Sequence, residues 1–454
     1  MSMDVREGIG SLIDRWRDHV LAHGGAEAHV AVVEGQLRDH AVRLGDAGLD
    51  AEEAFLVSLR RVALSDAASR SFARAYSDEL WIQPVEIEGK RGPARGATAE
   101  LSAMLGCAVA AALAVKVPTL FGYEFGGDGA SFYARNLSLF VLPFLAMYFI
   151  WKRGLSKKGI VGLVAVFIAG AVFANAYPFA PGGSTEVLTA IHLPIVLWLA
   201  VGVAYVAGDW MSGARRMEYV RFTGEWLINY ALIALGGGVL VAITVSVFGA
   251  IGLDVGSLIE EWVLPCGAMG AVIVAAWLVG TRRNIVGGMA PMLARVFTPL
   301  FALMLVALLV GVIWTRGIID IEREVLILFD LLLVVVLALL LYALSARDPL
   351  AAPGLLDWIQ LLLVVCALAV DVFALLNIAS RLTEYGFSAN RTAALGLNLI
   401  LLVNLTWSAV LQGGFLRSRR SFESVERWQM RYLPVYAVWA AIVVVAFPAL
   451  FGFA

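Results

Sequence analysis

Eleven apolar stretches, each about as long as a bilayer-spanning helix, follow a polar first hundred residues. They run over 98–120, 132–151, 159–179, 186–208, 227–250, 262–280, 292–314, 325–344, 355–378, 390–411 and 432–453. In hydrocarbon the backbone finds no water to bond, so an apolar stretch of about 20 residues is stable there only as a helix or in a closed barrel. Stretches of this length without strand-like alternation select the helix. With 60% hydrophobic residues and a mean hydropathy of +0.82, the 454-residue chain is too apolar for a soluble protein of its size. The expected fold class is therefore all-α: a polytopic helical membrane protein with about 11 transmembrane helices. Trp151, Trp210, Trp226, Trp262, Trp314 and Trp358 sit at or beside the span ends, where an aromatic belt belongs.

The short links alternate in charge. Those after even-numbered spans hold Lys152, Arg153, Lys157, Lys158, Arg215, Arg216, Arg221, Arg282, Arg283, Arg347, Arg417, Arg419, Arg420, Arg427 and Arg431. The other links hold only Arg135, Arg316, Arg323, Arg381 and Arg391. Fifteen against five is a clear bias, and short basic loops resist translocation. The expectation is a cell (cytoplasmic) membrane protein with a cytoplasmic N-terminus and Ala454 outside. The N-terminus shows no basic flank, apolar core and small-residue cleavage site in sequence, so no signal peptide is expected. No outer link is long enough to be a domain, which argues against an export permease with a large extracytoplasmic domain.

Residues 1–82 read as a small cytoplasmic helical bundle, 83–97 as a linker and 98–454 as the multi-pass domain. Ile13, Trp16, Val20 and Leu21 mark one apolar stripe, and Val30, Val33, Leu37 and Leu44 another. Gly48 suits a helix end, Asp50 and Glu53 form a D-x-x-E capping box, and a further helix is expected from Asp66 to Trp81. Pro84, Gly89, Gly92, Pro93 and Gly96 then make a linker by composition. The runs Val33-Glu34-Gly35-Gln36-Leu37-Arg38-Asp39-His40, Ala47-Gly48-Leu49-Asp50 through Phe55, Leu59-Arg60-Arg61, Ser69 to Ala73 and Glu79-Leu80-Trp81 resemble the permease prefix domain of bacterial membrane proteins. Val62-Ala63-Leu64 stands where that family has Gly-Asp. The resemblance implies association with permease-like proteins and no catalytic activity.

The membrane region resembles the polytopic bacterial family catalogued as domain of unknown function 4153. The most specific segment is Arg381-Leu382-Thr383-Glu384-Tyr385-Gly386-Phe387-Ser388-Ala389-Asn390-Arg391, like that family's Arg-x-x-x-Tyr-Gly-x-Thr-x-x-Arg link with Ser388 for the usual Thr. Phe222 to Gly280 has a similar layout, with Leu253-Asp254 and Glu260-Glu261 in an acidic outer link. The resemblance implies a polytopic fold and supplies no activity.

Candidate chemistry lies in a few polar residues within the spans. A carboxylate at the centre of a span costs ~2.5–3.5 kcal/mol on insertion scales, so Asp371 should face protein or a wet cavity. It stands seven residues, roughly 10 Å, below the outer end of the ninth span. Asn398 and Asp330 fall at similar depths, and His192 and Asn175 also lie in outer halves. Together they form a candidate ion or substrate site lining an exterior-side polar cavity; each could equally be a satisfied interhelical hydrogen bond. In the outer motif Gly386 suits a left-handed position after a helix and Ser388 an N-cap. Arg381, Tyr385 and Arg391 could pair with Glu384, Asp371 or Asp330, or hold an anionic substrate or lipid phosphate.

Other features read as structural. Gly236-Gly237-Gly238 has no Lys-Ser/Thr after it, so it suits close packing rather than a phosphate loop. Cys107, Cys266 and Cys366 fall in apolar stretches, and His19 and His23 lack partners at zinc spacing. The Arg417–Arg431 loop mixes basic and aromatic residues as headgroup-facing loops do. No metal, cofactor or enzymatic activity is expected, and a net charge of −2 argues against a nucleic-acid partner. The expected function is a permease-like transporter of a small solute, in contact with the lipid bilayer, with Asp371 and Asp330 as proton or cation sites. The alternative is a non-transporting membrane sensor or assembly partner whose residues 1–82 dock a cytoplasmic protein. Single cysteines placed at Ser156 and Ser418 should resist impermeant thiol reagents in intact cells; labelling of either reverses the orientation.

Overall fold

The computed structural model describes residues 3–22, 27–46, 49–62, 97–251, 253–281, 289–315, 323–347 and 351–454. Among them there is no strand. The chain divides into two compact units, Met1–Lys90 and Arg91–Ala454.

In the first unit, α1 (Met3–Ala22), α2 (Glu27–Asp46) and α3 (Ala51–Val62) carry the apolar stripes onto one shared core. Ile13, Trp16 and Val20 of α1 meet Val30, Leu37 and Ala41 of α2 and Phe55 and Leu59 of α3. Asp50 opens α3 as its cap, its carboxylate accepting the Glu53 N–H at 2.8 Å. Gly48, the helix expected over 66–81 and linker residues 83–96 lie outside the described residues.

Among the described residues the second unit holds eleven helices long and apolar enough to cross a membrane. They are α4 (Ala97–Ala114), α5 (Ala130–Arg153), α6 (Lys157–Ala176), α7 (Ser184–Tyr205), α8 (Gly213–Ala250) and α9 (Leu264–Thr281), then α10 (Met289–Thr315), α11 (Arg323–Ala346), α12 (Leu355–Tyr385), α13 (Ala389–Leu416) and α14 (Phe422–Val445). A one-turn α15 (Phe447–Leu450) follows. Among the described residues three buried clusters result. Residues chiefly from α4 to α9 fill one, around Leu145, Phe149, Leu197, Tyr219 and Ile273. Residues from α10 to α14 fill a second, around Leu305, Val336, Val364, Leu401 and Val425. A smaller one joins Leu188 of α7, Ala393 of α13, Val443 of α14 and Phe447 of α15. Small residues set the closest approaches: a Cβ on Gly396 of α13 would lie 2.0 Å from the Trp439 ring of α14, and one on Gly202 of α7 would lie 2.7 Å from Tyr219 of α8.

Side-chain contacts sort the links into two opposite ends. At one end Lys152 bonds Glu100, Arg221 bonds the Ser345 carbonyl, and Arg347 pairs with Asp357 at 2.8 Å. At the other, the Lys116 ammonium donates to the Glu261 carbonyl at 2.8 Å and Asn390 donates to Ser184 at 3.1 Å. The first is the basic end, made of links that follow even-numbered spans.

Several helices run past their apolar stretches, three of them well beyond one end. Helix α8 begins at Gly213 and runs 38 residues, α12 continues to Tyr385, and α14 begins at Phe422. Arg427 and Arg431 are therefore helical, so only the first part of the expected Arg417–Arg431 loop is a turn. Apolarity marks the portion suited to hydrocarbon, whereas a helix goes on for as long as its amphipathic flank finds something to pack against. Here Met217, Tyr219 and Phe222 of α8 and Phe422 and Val425 of α14 are buried.

A fragment of residues 1–82 should melt as a cooperative helical domain by circular dichroism, since its core is self-contained. Phe55→Ala should cost it about 3–5 kcal/mol. A fragment without a melting transition makes the bundle an appendage of the membrane part.

Candidate functional site

Asp371 stands at the middle of the 31-residue α12, fourteen residues or ~21 Å from Tyr385. Helix α12 runs seven residues past the apolar stretch that ends at 378, which places Asp371 near the helix midpoint. The buried face of α12 carries small residues one turn to either side of it, Ala367 and Ala374, so neighbouring helices close over the carboxyl. Asp371 is 0% exposed, and neither carboxyl oxygen has a hydrogen-bond partner.

Two of the expected companions are brought together beside it. Asn398 of α13, 0% exposed, donates its amide to the Asp330 carboxylate of α11 at 2.7 Å and to the Ala394 carbonyl at 2.8 Å. Its own Oδ1 is left without a partner. Asp330 also lies within electrostatic range of Asp371. Asp371 Oδ1 and Oδ2 on α12 and Asn398 Oδ1 on α13 are thus buried acceptors lacking a donor. An orphaned buried polar atom costs about 1–3 kcal/mol, and each of these would be satisfied by a proton or a small cation. Asp371 and Asn398 are fully buried, whereas Asp330 is partly exposed.

A polar network that the sequence reading did not single out adjoins it on α13 and α14. Asn404 donates to Gln429 at 3.1 Å and to the Tyr436 hydroxyl at 2.9 Å, and accepts from the Trp428 indole at 2.8 Å. Ser408 donates back to the Asn404 carbonyl at 2.6 Å. Tyr436 lies within electrostatic range of Asp371, so the network leads from the centre toward the basic end of α13. The spacing Asn404, Ser408, Gln412 on one helix was the legible signal, a polar stripe in an otherwise apolar span.

The other expected residues are placed apart. His192 of α7 bonds the Leu188 carbonyl of its own helix at 2.8 Å, and no hydrogen bond among the described residues joins it to Asp330 or Asn398. Asn175 of α6 exchanges amide hydrogen bonds with Asn136 of α5 at 2.9 and 2.7 Å, a satisfied interhelical pair.

The 381–391 motif is built as a helix-to-helix link. Gly386 ends α12 with φ +70°, which a Cβ disfavours, and the Ser388 hydroxyl accepts the Arg391 N–H at 3.4 Å as the cap of α13. The Arg391 guanidinium donates to the Tyr385 and Gly386 carbonyls at 3.0 and 2.7 Å and lies over the Tyr385 ring at 5.5 Å. It therefore staples the end of α12 instead of pairing with Glu384, Asp330 or Asp371, and it forms no unit with the buried acids. The unsatisfied C-terminal carbonyls of α12 are the nearer acceptors. Arg381 is half-buried on the last turns of α12.

A second buried charge cluster was missed. Glu186, in the first turn of α7 with its side chain 5% exposed, accepts from Arg135 of α5, from the Ser131 hydroxyl at 3.2 Å and from the Gly182 N–H at 2.8 Å. The Arg135 guanidinium also covers the Phe179 ring at 5.2 Å. Lys116, 8% exposed, lies between the Phe125 and Trp262 rings at 5.0 and 4.4 Å. Counting basic residues by link hid the Arg135 pair, and Lys116 falls inside the first apolar stretch, where its ring and carbonyl contacts are not legible.

Among the described residues no group of three or more His, Cys, Asp or Glu side chains is arranged to hold a metal. Comparison with known proteins finds no matching family model, no similar curated protein and no similar solved structure.

Breaking a buried ion pair on one side leaves an uncompensated charge, at about 3–5 kcal/mol. Arg135→Met alone or Glu186→Leu alone should lower the melting temperature of the detergent-solubilised protein sharply, and the double variant should recover most of the loss. Equal and additive losses would show that the pair is not a unit.

Proposed function

We propose that the protein is a permease-like transporter of a small solute, coupled to a proton or monovalent cation that occupies the Asp371–Asp330–Asn398 centre. One observation carries this reading: three buried acceptor oxygens without a donor, at mid-helix in an apolar bundle. By contrast, Asn136 and Asn175 satisfy each other across α5 and α6. Ionisable groups kept inside a membrane domain are expensive and mark ion or proton pathways. The resemblance of residues 26–81 to a permease prefix points the same way. On the charge bias, the basic end faces the cytoplasm.

A second reading rests on the first unit, which has a core of its own. In that reading the membrane part is a non-transporting sensor or assembly partner, and the N-terminal bundle docks a cytoplasmic protein.

Full-length protein in proteoliposomes, screened with small solutes under proton and sodium gradients on a solid-supported membrane, separates the two. Transport predicts solute-dependent current that Asp371→Asn abolishes while helicity and melting are retained. Full current in Asp371→Leu refutes the centre, and no current with any solute under either gradient favours the second reading.

A further inference from the structure

The first turns of the 38-residue α8, at the basic end, carry a buried cation without an anion. Arg216 is 8% exposed, and its Nε is enclosed with no hydrogen-bond partner. Among the described residues no carboxylate or carbonyl accepts from its guanidinium. The acids of this region do not serve it: Glu218 pairs with Arg215 at 3.1 Å, Glu426 lies within electrostatic range of Arg221, and the exposed Asp209 forms no ion pair. By contrast Lys116, Arg135 and Arg347 each bond a carbonyl or a carboxylate. A guanidinium taken out of water calls for an acceptor, and here the protein supplies none.

Arg216 stands three residues after Gly213 and four after Ser212. A helical side chain lies over the turn N-terminal to its own Cα, so Arg216 covers the opening turn of α8. That turn has donors to spare. Ser212 caps it by accepting the Arg215 N–H at 3.4 Å, while the Gly213 and Ala214 N–H groups have no acceptor among the described residues. The same face meets two neighbours. A Cβ on Gly213 would lie 3.9 Å from Met430 of α14, and Thr223, two turns past Arg216, accepts the Trp198 indole of α7 at 3.2 Å. The turn between α5 and α6, with Arg153, Lys157 and Lys158, adjoins the turn that precedes α8: Arg153 lies over the Tyr205 ring at 4.6 Å, and a Cβ on Gly208 would lie 3.2 Å from Leu155.

We propose that the opening turn of α8 binds a phosphate group, carried by the headgroup of an anionic phospholipid in the leaflet at the basic end. Arg216 supplies the charge, the Gly213 and Ala214 N–H groups supply neutral donors, and the dipole of α8 adds its positive end. The site lies at the end of a span, where headgroups are found, and the neighbouring basic turn favours an anionic headgroup over a zwitterionic one. It is separate from the Asp371 centre and does not depend on the transport reading.

Full-length protein, stripped of lipid in detergent, is titrated with phosphatidylglycerol, with phosphatidylcholine and with inorganic phosphate, reading retained ligand by native mass spectrometry and protection by thermal shift. Phosphatidylglycerol should bind and raise the melting temperature, and phosphatidylcholine should do so far less. Arg216→Met should weaken phosphatidylglycerol about tenfold. Relieved of an unpaired buried charge, that variant should melt at or above the parent's temperature when lipid is absent. Gly213→Pro removes one donor where proline suits a helix start and Ser212 is already extended, at ψ 123°, so it should fold normally and bind several-fold more weakly. Arg216→Lys should retain part of the affinity. Arg216-dependent protection by inorganic phosphate equal to that by phosphatidylglycerol supports the phosphate site and assigns it to a soluble anion. An Arg216→Met protein that melts well below the parent without lipid yet keeps the full phosphatidylglycerol shift makes the arginine structural and overturns the proposal. Absence of binding by both probes, or binding that neither variant changes, does the same. If Arg216→Met fails to fold, Gly213→Pro decides, and unchanged phosphatidylglycerol affinity there rejects the site.

Discussion

Hydrocarbon offers a polar group no partner, and every part of the membrane unit answers to that. It turns the apolar stretches into helices, because only a helix satisfies each N–H and C=O within its own segment. It also makes a polar side chain inside the bundle costly unless a partner is found, and several find one locally. Asn136 and Asn175 do so reciprocally, Glu186 by collecting Arg135, Ser131 and a backbone N–H, and Asn404 by joining Gln429, Tyr436 and Trp428.

Against these solved cases the Asp371 centre differs in kind. Its neighbours add acceptors where donors are needed: Asp330 is a second carboxyl, and Asn398 spends its amide hydrogens on Asp330 and Ala394. The surrounding packing could have supplied a hydroxyl or an amide, as α14 does for Asn404, and it supplies Ala367 and Ala374 instead. A ligand of positive charge is the simplest completion of such a shell, which is the chemical content of the transport reading.

The architecture was legible because its determinant is local and additive. Eleven apolar stretches give eleven helices, since hydropathy summed over twenty residues dominates any single neighbour. Caps were legible for the same reason, as Asp50 and Ser388 show. Asp371, Asp330 and Asn398 were found because each is costly in its own segment. What sequence could not reveal was which helix faces which. His192 has the same polarity and depth as Asn398 but turns to its own helix, and Arg391 reaches backwards to two carbonyls rather than inwards to an acid. Arg135 looked like a loop charge because its partner, Glu186, is distant in sequence.

The 38 residues of α8 amount to ~57 Å of continuous helix, against ~30 Å of hydrocarbon. The surplus at its N-terminal end is anchored: Tyr219 packs beneath the α7 tryptophan and Arg221 clasps the end of α11 through the Ser345 carbonyl. The half toward Ala250 has no buried residue in its most apolar window. Such a rod behaves as a lever with its fulcrum at the basic end. From the Arg221 clasp to Ala250 is ~44 Å of helix, so a tilt of ~10° there would move the far tip through ~8 Å of lipid.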